Sequence, residues 1–426
     1  MAQDPQAERS RLRSILAGSA GNMVETFDWF VYAAFALYFA PVFFPKGDQT
    51  AQLLGSAAVY AVGFLARPFG AWIMGLYGDR AGRRAAMIVA VGLMCLGSLI
   101  IGLCPGYAQI GLAAPAILVL ARILQGVSMG GEYGASATYL SEMASRDRRG
   151  FWSGIFYSTL MSGQLLALLL LLALTAVLPP EQMNAWGWRV AFIVGALMAT
   201  AVLVMRRGME ETPSFKARDG SRTATWRLVS EHPRETMMVF GLTAGGTLAY
   251  YTFGTYMQKF LVNTSGFSRD QSNLITTAAL ACFVLMQPLS GALSDRFGRR
   301  ALLLAFGIGG VAMTWPVLST LAETREPLTA FLLVLGSLAV VSGYTSVSAI
   351  VKAEMFPTEI RALGVALPYA IANALFGGTA EFIALSFKKA GFEPGFYIYV
   401  TAVIGMSLVT YLIMPDTRRT SRILED

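Results

Sequence analysis

Long apolar runs alternate with short polar stretches along almost the whole chain. A helix needs about 20 mostly apolar residues to cross the hydrocarbon core of a bilayer. Runs of this kind are centred near residues 29, 64, 94, 127, 164, 197, 247, 282, 310, 342, 373 and 404. The composition agrees, because only 14% of the residues are charged, against about 25% in soluble domains. The pattern predicts an all-α polytopic membrane protein with twelve transmembrane helices.

The basic residues are distributed unevenly between the polar stretches. Most of the 33 Lys and Arg, including Arg9, Arg11 and Arg13, fall on the side of the N-terminus. Since loops rich in Lys and Arg stay in the cytoplasm, both termini are expected to be cytoplasmic. The net charge of +7 then reflects topology, and nucleic acid is not an expected partner. No cleavage-like site follows the polar first residues, so we expect no removable signal peptide.

One ten-residue pattern, G-x-x-x-D-R-x-G-R-R, occurs twice, each time after a long apolar run. Its copies span Gly75–Arg84 and Gly291–Arg300. Two copies half a chain apart indicate a duplicated unit, and therefore a membrane protein built from two related halves.

A second pair of matching segments supports the duplication. Glu142 precedes Arg149 in the first half, and Glu354 precedes Arg361 at the same spacing in the second. The longest polar stretch separates the halves and contains Gly and Pro, which is typical of a linker. The predicted division is a cytoplasmic tail at 1–13, a six-helix bundle at 14–206, a cytoplasmic linker at 207–234, a second six-helix bundle at 235–414 and a cytoplasmic tail at 415–426.

Five charged residues lie deep inside predicted spans, where a charge costs about 3 kcal/mol or more. They are Glu25 and Asp28 in the first span, Arg67 in the second, and Arg122 and Glu132 in the fourth. We expect them to face a polar cavity rather than lipid. The alternative, left open, is that the arginines only pair with carboxylates of neighbouring spans.

Uncharged polar residues extend this predicted site. Tyr32 shares a helical face with Glu25 and Asp28, Gln164 lies in the fifth span, and Tyr251 and Asn373 lie in the second half. Small residues in the fourth span, among them Gly126 and Gly130, would let helices approach closely. Lys259, Lys352 and Glu381 lie nearer the ends of their spans, where snorkelling toward the interface is the simpler interpretation.

The residue types constrain the chemistry. The single histidine, His232, falls in the predicted linker, so a proton carried across the membrane would need a carboxylate: Glu25, Asp28 or Glu132. Arg67 and Arg122 stay charged and can pair bidentately with a carboxylate, which favours an anionic substrate.

Other classes of protein are disfavoured. Cys95, Cys104 and Cys282 have no metal-ligand spacing, and no Ser–His pair is evident, so we expect no metal, no cofactor besides the proton, and no enzyme. A solute receptor usually carries a long soluble output region, and the chain after Met414 is short.

Several of these motifs resemble those of the major facilitator superfamily. Both G-x-x-x-D-R-x-G-R-R segments resemble its loop motif, and Arg122–Gly126 resembles its fourth-helix motif, in which the arginine is associated with proton coupling. Four further segments resemble one family within that superfamily, the metabolite:proton symporters. They are Gly21–Asp28, Arg67–Gly70, Gly130–Tyr133 and Ala353–Thr358. Tyr251–Lys259, Ile350–Glu354 and Asn373–Glu381 are similar to the α-ketoglutarate permeases of that family.

The resemblance implies two six-helix bundles around a central site, alternating access, a bacterial inner membrane and a functional monomer. It further implies that the loop motif braces a gate, which would involve Asp79, Arg83, Asp295, Arg299, Glu142, Arg149, Glu354 and Arg361.

The expected function is proton-coupled uptake of α-ketoglutarate or a close dicarboxylate. Arg67 and Arg122 would each take a carboxylate, and the rest of the pocket would be Tyr32, Gln164, Tyr251 and Asn373. Citrate, proline or betaine, and shikimate remain alternative substrates, since a zwitterion needs one arginine and one carboxylate.

Overall fold

A computed structural model describes residues 5–45, 47–81, 83–130, 133, 137, 138, 141, 144–207, 228, 230–357 and 360–423. Within these, side chains are described except at residues 5–20, 75, 76, 78–81, 83, 84, 86, 87, 146 and 205–207. The described chain is almost entirely helical, as the apolar runs predict.

The described residues of the first half form six long helices. They are α1 (Pro5–Phe43), α2 (Gln49–Ala81), α3 (Arg83–Leu103), α4 (Ala113–Gly130), α5 (Arg149–Val177) and α6 (Trp188–Arg207). A short helix at Tyr107–Ile110 precedes α4, and a 3₁₀ turn at Arg146–Arg148 precedes α5. A helical turn at Pro180–Gln182 and a π-helical turn at Met183–Gly187 lead into α6.

The second half repeats this arrangement with two interrupted helices. The segments are α7 (Pro233–Tyr250), α8 (Arg269–Phe297), α9 (Arg299–Glu323), α10 (Pro327–Met355), α11 (Arg361–Ala372) and α12 (Pro394–Ile413). A π-helical turn at Tyr251–Tyr256 joins α7 to a continuation at Met257–Asn263. Another at Asn373–Gly377 precedes a continuation of α11 at Ala380–Lys389.

These segments match the twelve predicted spans in number and position. Among the described residues, ten are long and apolar enough to cross a membrane. In α3 the apolar stretch is shorter, at Ile88–Leu103. The helix that begins with α7 is not one of these ten. Its buried length carries several Gly, Thr and Tyr residues.

The ends of the helices follow local chemistry. Proline stands in the first turn of α7, α10 and α12, where its missing N–H leaves no intrahelical bond unmade. Ser268 and Gln271 form a reciprocal capping box at the start of α8. Gly298 ends α8 with φ +96°, a conformation that other residues rarely adopt, and α9 begins at the next residue.

Close helix packing shapes the first half. A Cβ added to Gly126 would collide with the carbonyl oxygen of Gly63 in α2, and one added to Gly130 would collide with that of Arg67. The predicted close approach of α4 to a neighbour is therefore confirmed, and the neighbour is α2.

The two halves meet along α5 and α8, and along α2 and α11 with its continuation. We call the end of the bundle that holds the α2–α3, α8–α9 and α10–α11 connections the basic end. The end with the α1–α2, α7–α8 and α11–α12 connections is the opposite end.

Candidate functional site

A cavity lies between the two halves of the bundle. Its walls come from α1, α2, α4, α5, α7, α10 and α11, so both halves contribute. Among its described lining residues, the charged ones are Glu25 and Arg67. Six tyrosines also line it: Tyr133, Tyr157, Tyr250, Tyr251, Tyr344 and Tyr369. The cavity thus combines one cation, one carboxyl group and many hydroxyls, a set suited to a small polar anion or zwitterion.

Arg67 is held at the cavity wall mainly by aromatic rings. Its guanidinium carbon lies 3.9 Å from the centre of the Trp29 ring and 4.1 Å from that of Phe64. One terminal nitrogen, Nη2, is 3.5 Å from the sulfur of Met129. The Nε atom is buried and has no hydrogen-bond partner among the described residues. Ring contacts do not consume N–H donors, and Nε therefore remains available to an anion.

Arg122 occupies a different place from the one predicted. It is fully buried and is not among the residues that line the cavity. Its guanidinium carbon lies 3.8 Å from the Trp29 ring centre. Arg67 approaches the same ring to a similar distance, so both cations pack against Trp29. Arg122 therefore contacts a ring that lines the cavity, but does not line the cavity itself.

A chain of hydrogen bonds connects Arg122 to Asp28. Arg122 Nη1 donates to Gln125 Oε1 at 2.7 Å, and Gln125 Nε2 donates to Asp28 Oδ2 at 3.0 Å. Ser98 donates to Asp28 Oδ1 and accepts from Gln125 Nε2 at 2.8 Å. The buried carboxyl group is thus held by two uncharged side chains, and its link to the arginine passes through an amide.

The other proton-carrying candidates are placed differently. Glu25 is 4% exposed and lines the cavity, one helical turn from Trp29. Glu132 lies outside the described residues. The predicted shared face of α1 is therefore divided, since Glu25 points to the cavity and Asp28 toward α3 and α4.

Of the four uncharged residues expected in the pocket, Tyr251 lines the cavity. Tyr32 donates to the Ser56 carbonyl oxygen at 3.0 Å, on the α2 side of α1. Gln164 joins the two halves, because it donates to the Gly254 carbonyl oxygen at 2.9 Å and accepts from Tyr250. Asn373 accepts from Thr247 at 3.1 Å within the second half. The last three are not among the cavity-lining residues.

Sequence reasoning missed three groups near this site. Trp29 and Ser98 look like ordinary span residues in the sequence, and no spacing signal identifies them. Lys352, interpreted as snorkelling, is instead fully buried, and its Nζ lies 4.1 Å from the centre of the Tyr369 ring. It is the third residue of the Ile350–Glu354 segment, and nothing in that segment indicates a neighbouring tyrosine.

Lys259 and Glu381 also do not snorkel. Lys259 Nζ donates to Glu381 Oε2 at 2.6 Å, and the two side chains are 1% and 6% exposed. The pair joins the continuations of α7 and α11, just after their π-helical turns. Oppositely charged partners account for the burial of both groups.

The second copy of the repeated motif forms a junction between the halves at the basic end. Asp295, near the end of α8, accepts hydrogen bonds from the backbone N–H groups of Gly150 and Phe151, each at 2.8 Å. These N–H groups belong to the first turn of α5, where a carboxylate is favoured by the helix dipole. Arg299 Nη1 holds the same carboxylate at 2.7 Å.

The glycine pattern of this motif has a physical reason. A Cβ on Gly291 would collide with the Gly150 carbonyl oxygen, so the small residue lets α8 approach α5. Gly298 supplies the positive φ of the turn. In the first copy, the side chains of Asp79 and Arg83 lie outside the described residues.

Glu354 and Arg361, the second-half pair whose spacing repeats that of Glu142 and Arg149, also belong to this junction. Glu354 accepts from Thr417 at 2.6 Å and lies 3.9 Å from Arg299 Nη2. Arg361 donates to the Ala353 and Phe356 carbonyl oxygens at 3.2 and 3.1 Å. In the first half, Glu142 lies outside the described residues. Arg149 is buried, with Nη1 3.5 Å from Ser421 Oγ in the C-terminal segment.

Contacts between the halves also occur on the opposite side of the cavity. Gln258 donates to the Ala34 carbonyl oxygen at 3.1 Å, and Asn273 donates to Tyr38 Oη at 3.1 Å. The described contacts therefore hold the halves together at both ends.

Two family models match the chain, one in each half. The first, described as sugar (and other) transporter, matches residues 14–229. The second, described as Major Facilitator Superfamily, matches residues 239–425.

Curated relatives cover nearly the whole chain. It is 49% identical to the α-ketoglutarate permease of Escherichia coli K12, over 95% of this chain and 93% of the relative. It is 33% identical to a citrate-proton symporter of Klebsiella pneumoniae, over 95% of this chain and 92% of the relative. It is 31% identical to a proline/betaine transporter of Salmonella typhimurium, over 95% of this chain and 83% of the relative. The resemblance seen in the sequence motifs is confirmed.

Solved structures share the fold at low identity. The xylose transporter XylE from E. coli, in a partially occluded inward-open conformation, superposes with a TM-score of 0.73 at 19% identity. The match covers 94% of this chain and 97% of XylE. The chain belongs to the major facilitator superfamily, with twelve helical segments in two halves around a central cavity.

Proposed function

We propose that the protein is a proton-coupled symporter that imports α-ketoglutarate, or a close dicarboxylate, by alternating access. The observation that carries the proposal is Arg67, a buried cation at the wall of the cavity between the halves. A permanently charged guanidinium at such a place is a site for an anion. The 49% identity to an α-ketoglutarate permease supports the choice of anion.

In this proposal Arg67 takes one carboxylate of the substrate. Its Nε has no hydrogen-bond partner among the described residues, and its planar fork can donate two parallel bonds. Hydroxyl groups of the surrounding tyrosines would donate to the remaining oxygens of the substrate. Tyr251 is the first candidate, because it is hydrogen-bonded to Arg67 and also lines the cavity.

Arg122 receives a different role from the carboxylate clamp first expected. Since Arg122 packs against Trp29, which lines the cavity, it acts on the cavity through its charge and through the position of the ring. It belongs with Gln125, Ser98 and Asp28 to a coupling network inside the first half.

Asp28 is the first candidate for the proton carrier, with Glu25 second and Glu132 a further candidate. Protonation of Asp28 would remove its charge and make one of its oxygens a donor, which would weaken or reverse the bond from Ser98 or Gln125. Gln125 would reorient, and its bond to Arg122 would change. Proton uptake is thereby linked to Arg122, and through Trp29 to the cavity wall.

The proposal includes an orientation and a location. The basic end faces the cytoplasm, because loops rich in Lys and Arg are retained there. The protein lies in the bacterial inner membrane with both termini in the cytoplasm, works as a monomer and uses no cofactor besides the proton.

The test is uptake of labelled α-ketoglutarate by purified protein in proteoliposomes, with and without an inward proton gradient. We expect accumulation that stops when the gradient is collapsed. Arg67→Ala should abolish uptake, whereas Arg67→Lys should retain part of it because the charge remains but the fork is lost. Absence of uptake by the folded wild-type protein would exclude α-ketoglutarate as the substrate, and undiminished uptake by Arg67→Ala would exclude the binding role.

A zwitterion such as proline or betaine is the second candidate substrate. The specific observation in its favour is that Glu25 and Arg67 line the same cavity, one group for each charge. Competition of labelled uptake by unlabelled α-ketoglutarate, citrate, shikimate, proline and betaine decides between them. Inhibition by proline or betaine alone would favour the zwitterion.

A further inference from the structure

Lys352 is a buried cation that the proposed mechanism does not use. It lies in the last turn of α10 and is 0% exposed. Among the described residues no carboxylate pairs with it; its nearest polar contact is Tyr133 Oη, 3.4 Å from Nζ. An ammonium group is costly to bury without a counter-ion, so its environment calls for an anion.

Three tyrosine rings surround this ammonium group. The Tyr369 ring centre is 4.1 Å from Nζ, and the ring centres of Tyr133 and Tyr344 are 5.4 and 5.9 Å away. Ring faces attract a cation, but they offset only part of the loss of hydration. All three tyrosines line the central cavity, so Lys352 lies directly behind its wall.

The wall in front of Lys352 is formed by both halves. Tyr133 follows α4 in the first half, and its ring stacks on Tyr369 of α11 with centres 3.9 Å apart and planes at 16°. Tyr133 Oη also lies 2.8 Å from Tyr157 Oη of α5. Separation of the Tyr133–Tyr369 stack, which a relative movement of the halves would produce, would open a path from the cavity to Nζ.

We propose that Lys352 is the second cation of the substrate site and takes the distal carboxylate of a dicarboxylate. The first carboxylate would bind Arg67 in the other half, so a two-headed anion would connect the halves, and a monocarboxylate or zwitterion would not. This inference rests on the proposed function, and it assigns the preference for two carboxylates to one residue.

The test compares two ligands that differ in the distal carboxylate. Dissociation constants of α-ketoglutarate and of 2-oxopentanoate, which lacks that group, are measured by calorimetry on the purified full-length protein. We expect Lys352→Met to raise the dissociation constant of α-ketoglutarate about tenfold or more. The dissociation constant of 2-oxopentanoate should stay within about twofold of the wild-type value. Lys352→Arg, which keeps the charge, should retain the preference for α-ketoglutarate. Arg67→Ala should weaken the binding of both ligands.

Two outcomes would overturn the role of Lys352. The first is an unchanged ratio of the two constants in a Lys352→Met protein whose thermal unfolding matches wild type. The second is recovery of α-ketoglutarate affinity in a Lys352→Met, Glu132→Gln double variant. That recovery would show that Lys352 acts by neutralising Glu132, which lies outside the described residues. Failure of the wild-type protein to bind α-ketoglutarate would instead overturn the proposed function.

Discussion

At the scale of single residues, the cavity wall depends on Trp29. The guanidinium carbons of Arg67 and Arg122 both lie over its ring, 3.9 and 3.8 Å from the ring centre. Two guanidinium groups so close would repel each other strongly in a medium of low dielectric constant. The ring's electron-rich faces attract both, and this explains how two cations are accommodated near one another.

The coupling network makes a direct prediction for Asp28. Asp28→Asn keeps the size of the side chain but removes the exchangeable proton and the carboxylate. We expect accumulation driven by a proton gradient to be lost, while exchange of internal for external substrate continues. Proteoliposome uptake and counterflow, measured on the same preparation, separate these two activities. Glu25→Gln serves as the parallel variant, and intact gradient-driven uptake in both would move the carrier role to Glu132.

The buried ion pair of the second half predicts an effect on stability. Lys259→Met leaves the Glu381 carboxylate buried without its partner, at a cost of about 3 kcal/mol or more. Replacing both members, as in Lys259→Met with Glu381→Leu, should recover much of that loss because no lone charge remains. Thermal unfolding in detergent measures both proteins. A double variant as unstable as the single one would contradict this account.

At the scale of helices, small residues decide how closely α2 and α4 pack. Gly126→Val would push a side chain into the Gly63 carbonyl group, and overpacking of this kind costs about 1–3 kcal/mol. We expect lower thermal stability and reduced transport. Gly92→Val in α3 is the matched control, because a Cβ added there meets no atom within 4 Å. Equal losses in both variants would point to helix propensity rather than packing.

At the scale of the whole molecule, Asp295 connects the two halves. It accepts hydrogen bonds from the backbone N–H groups of Gly150 and Phe151 in the other half. Its exchange for Asn would weaken the charge-assisted bonds and the contact with Arg299. Alternating access requires this end to open and close, so the change should alter the balance between states.

We therefore expect Asp295→Asn to accelerate hydrogen exchange at the start of α5 and to lower the rate of transport. Hydrogen exchange followed by mass spectrometry over residues 146–156 measures the first effect. Glu181→Gln, at an exposed position on the opposite end, is the control. Unchanged exchange at the start of α5 would mean that the junction is held mainly by the close packing of Gly150 on Gly291.

The C-terminal segment shows how a short polar stretch acquires a structural role. The sequence predicts a cytoplasmic tail from residue 415, yet Thr417 is buried and bonds Glu354, and the Arg422 backbone N–H donates to the Glu354 carbonyl oxygen at 2.9 Å. No hydrophobic pattern marks this contact, because it is made by hydrogen bonds between polar groups.

The sequence by itself determined the elements and the class of protein. Apolar runs of membrane-spanning length leave the backbone little choice except helix, since lipid offers no other hydrogen-bond partners. The repeated motif indicated that the chain consists of two related halves. The charged residues inside spans, Arg67, Arg122 and Asp28 among them, indicated that the first half holds most of the charged groups of the site. Spacing along a helix also grouped Glu25 with Asp28 and Tyr32 on one face of the first span.

Only the tertiary structure decided which of these groups face the cavity. Spacing gives the direction of a side chain relative to its own helix, but not which neighbouring helix lies there. Arg67 and Arg122 are equivalent by sequence, yet packing leaves Arg67 at the cavity wall and buries Arg122 away from it. Lys352 and Lys259 both lie toward the ends of spans, and only packing gives one a carboxylate and the other three tyrosine rings. The physical reason is that a buried charge is defined by the partners that replace water, and those partners come from distant parts of the chain.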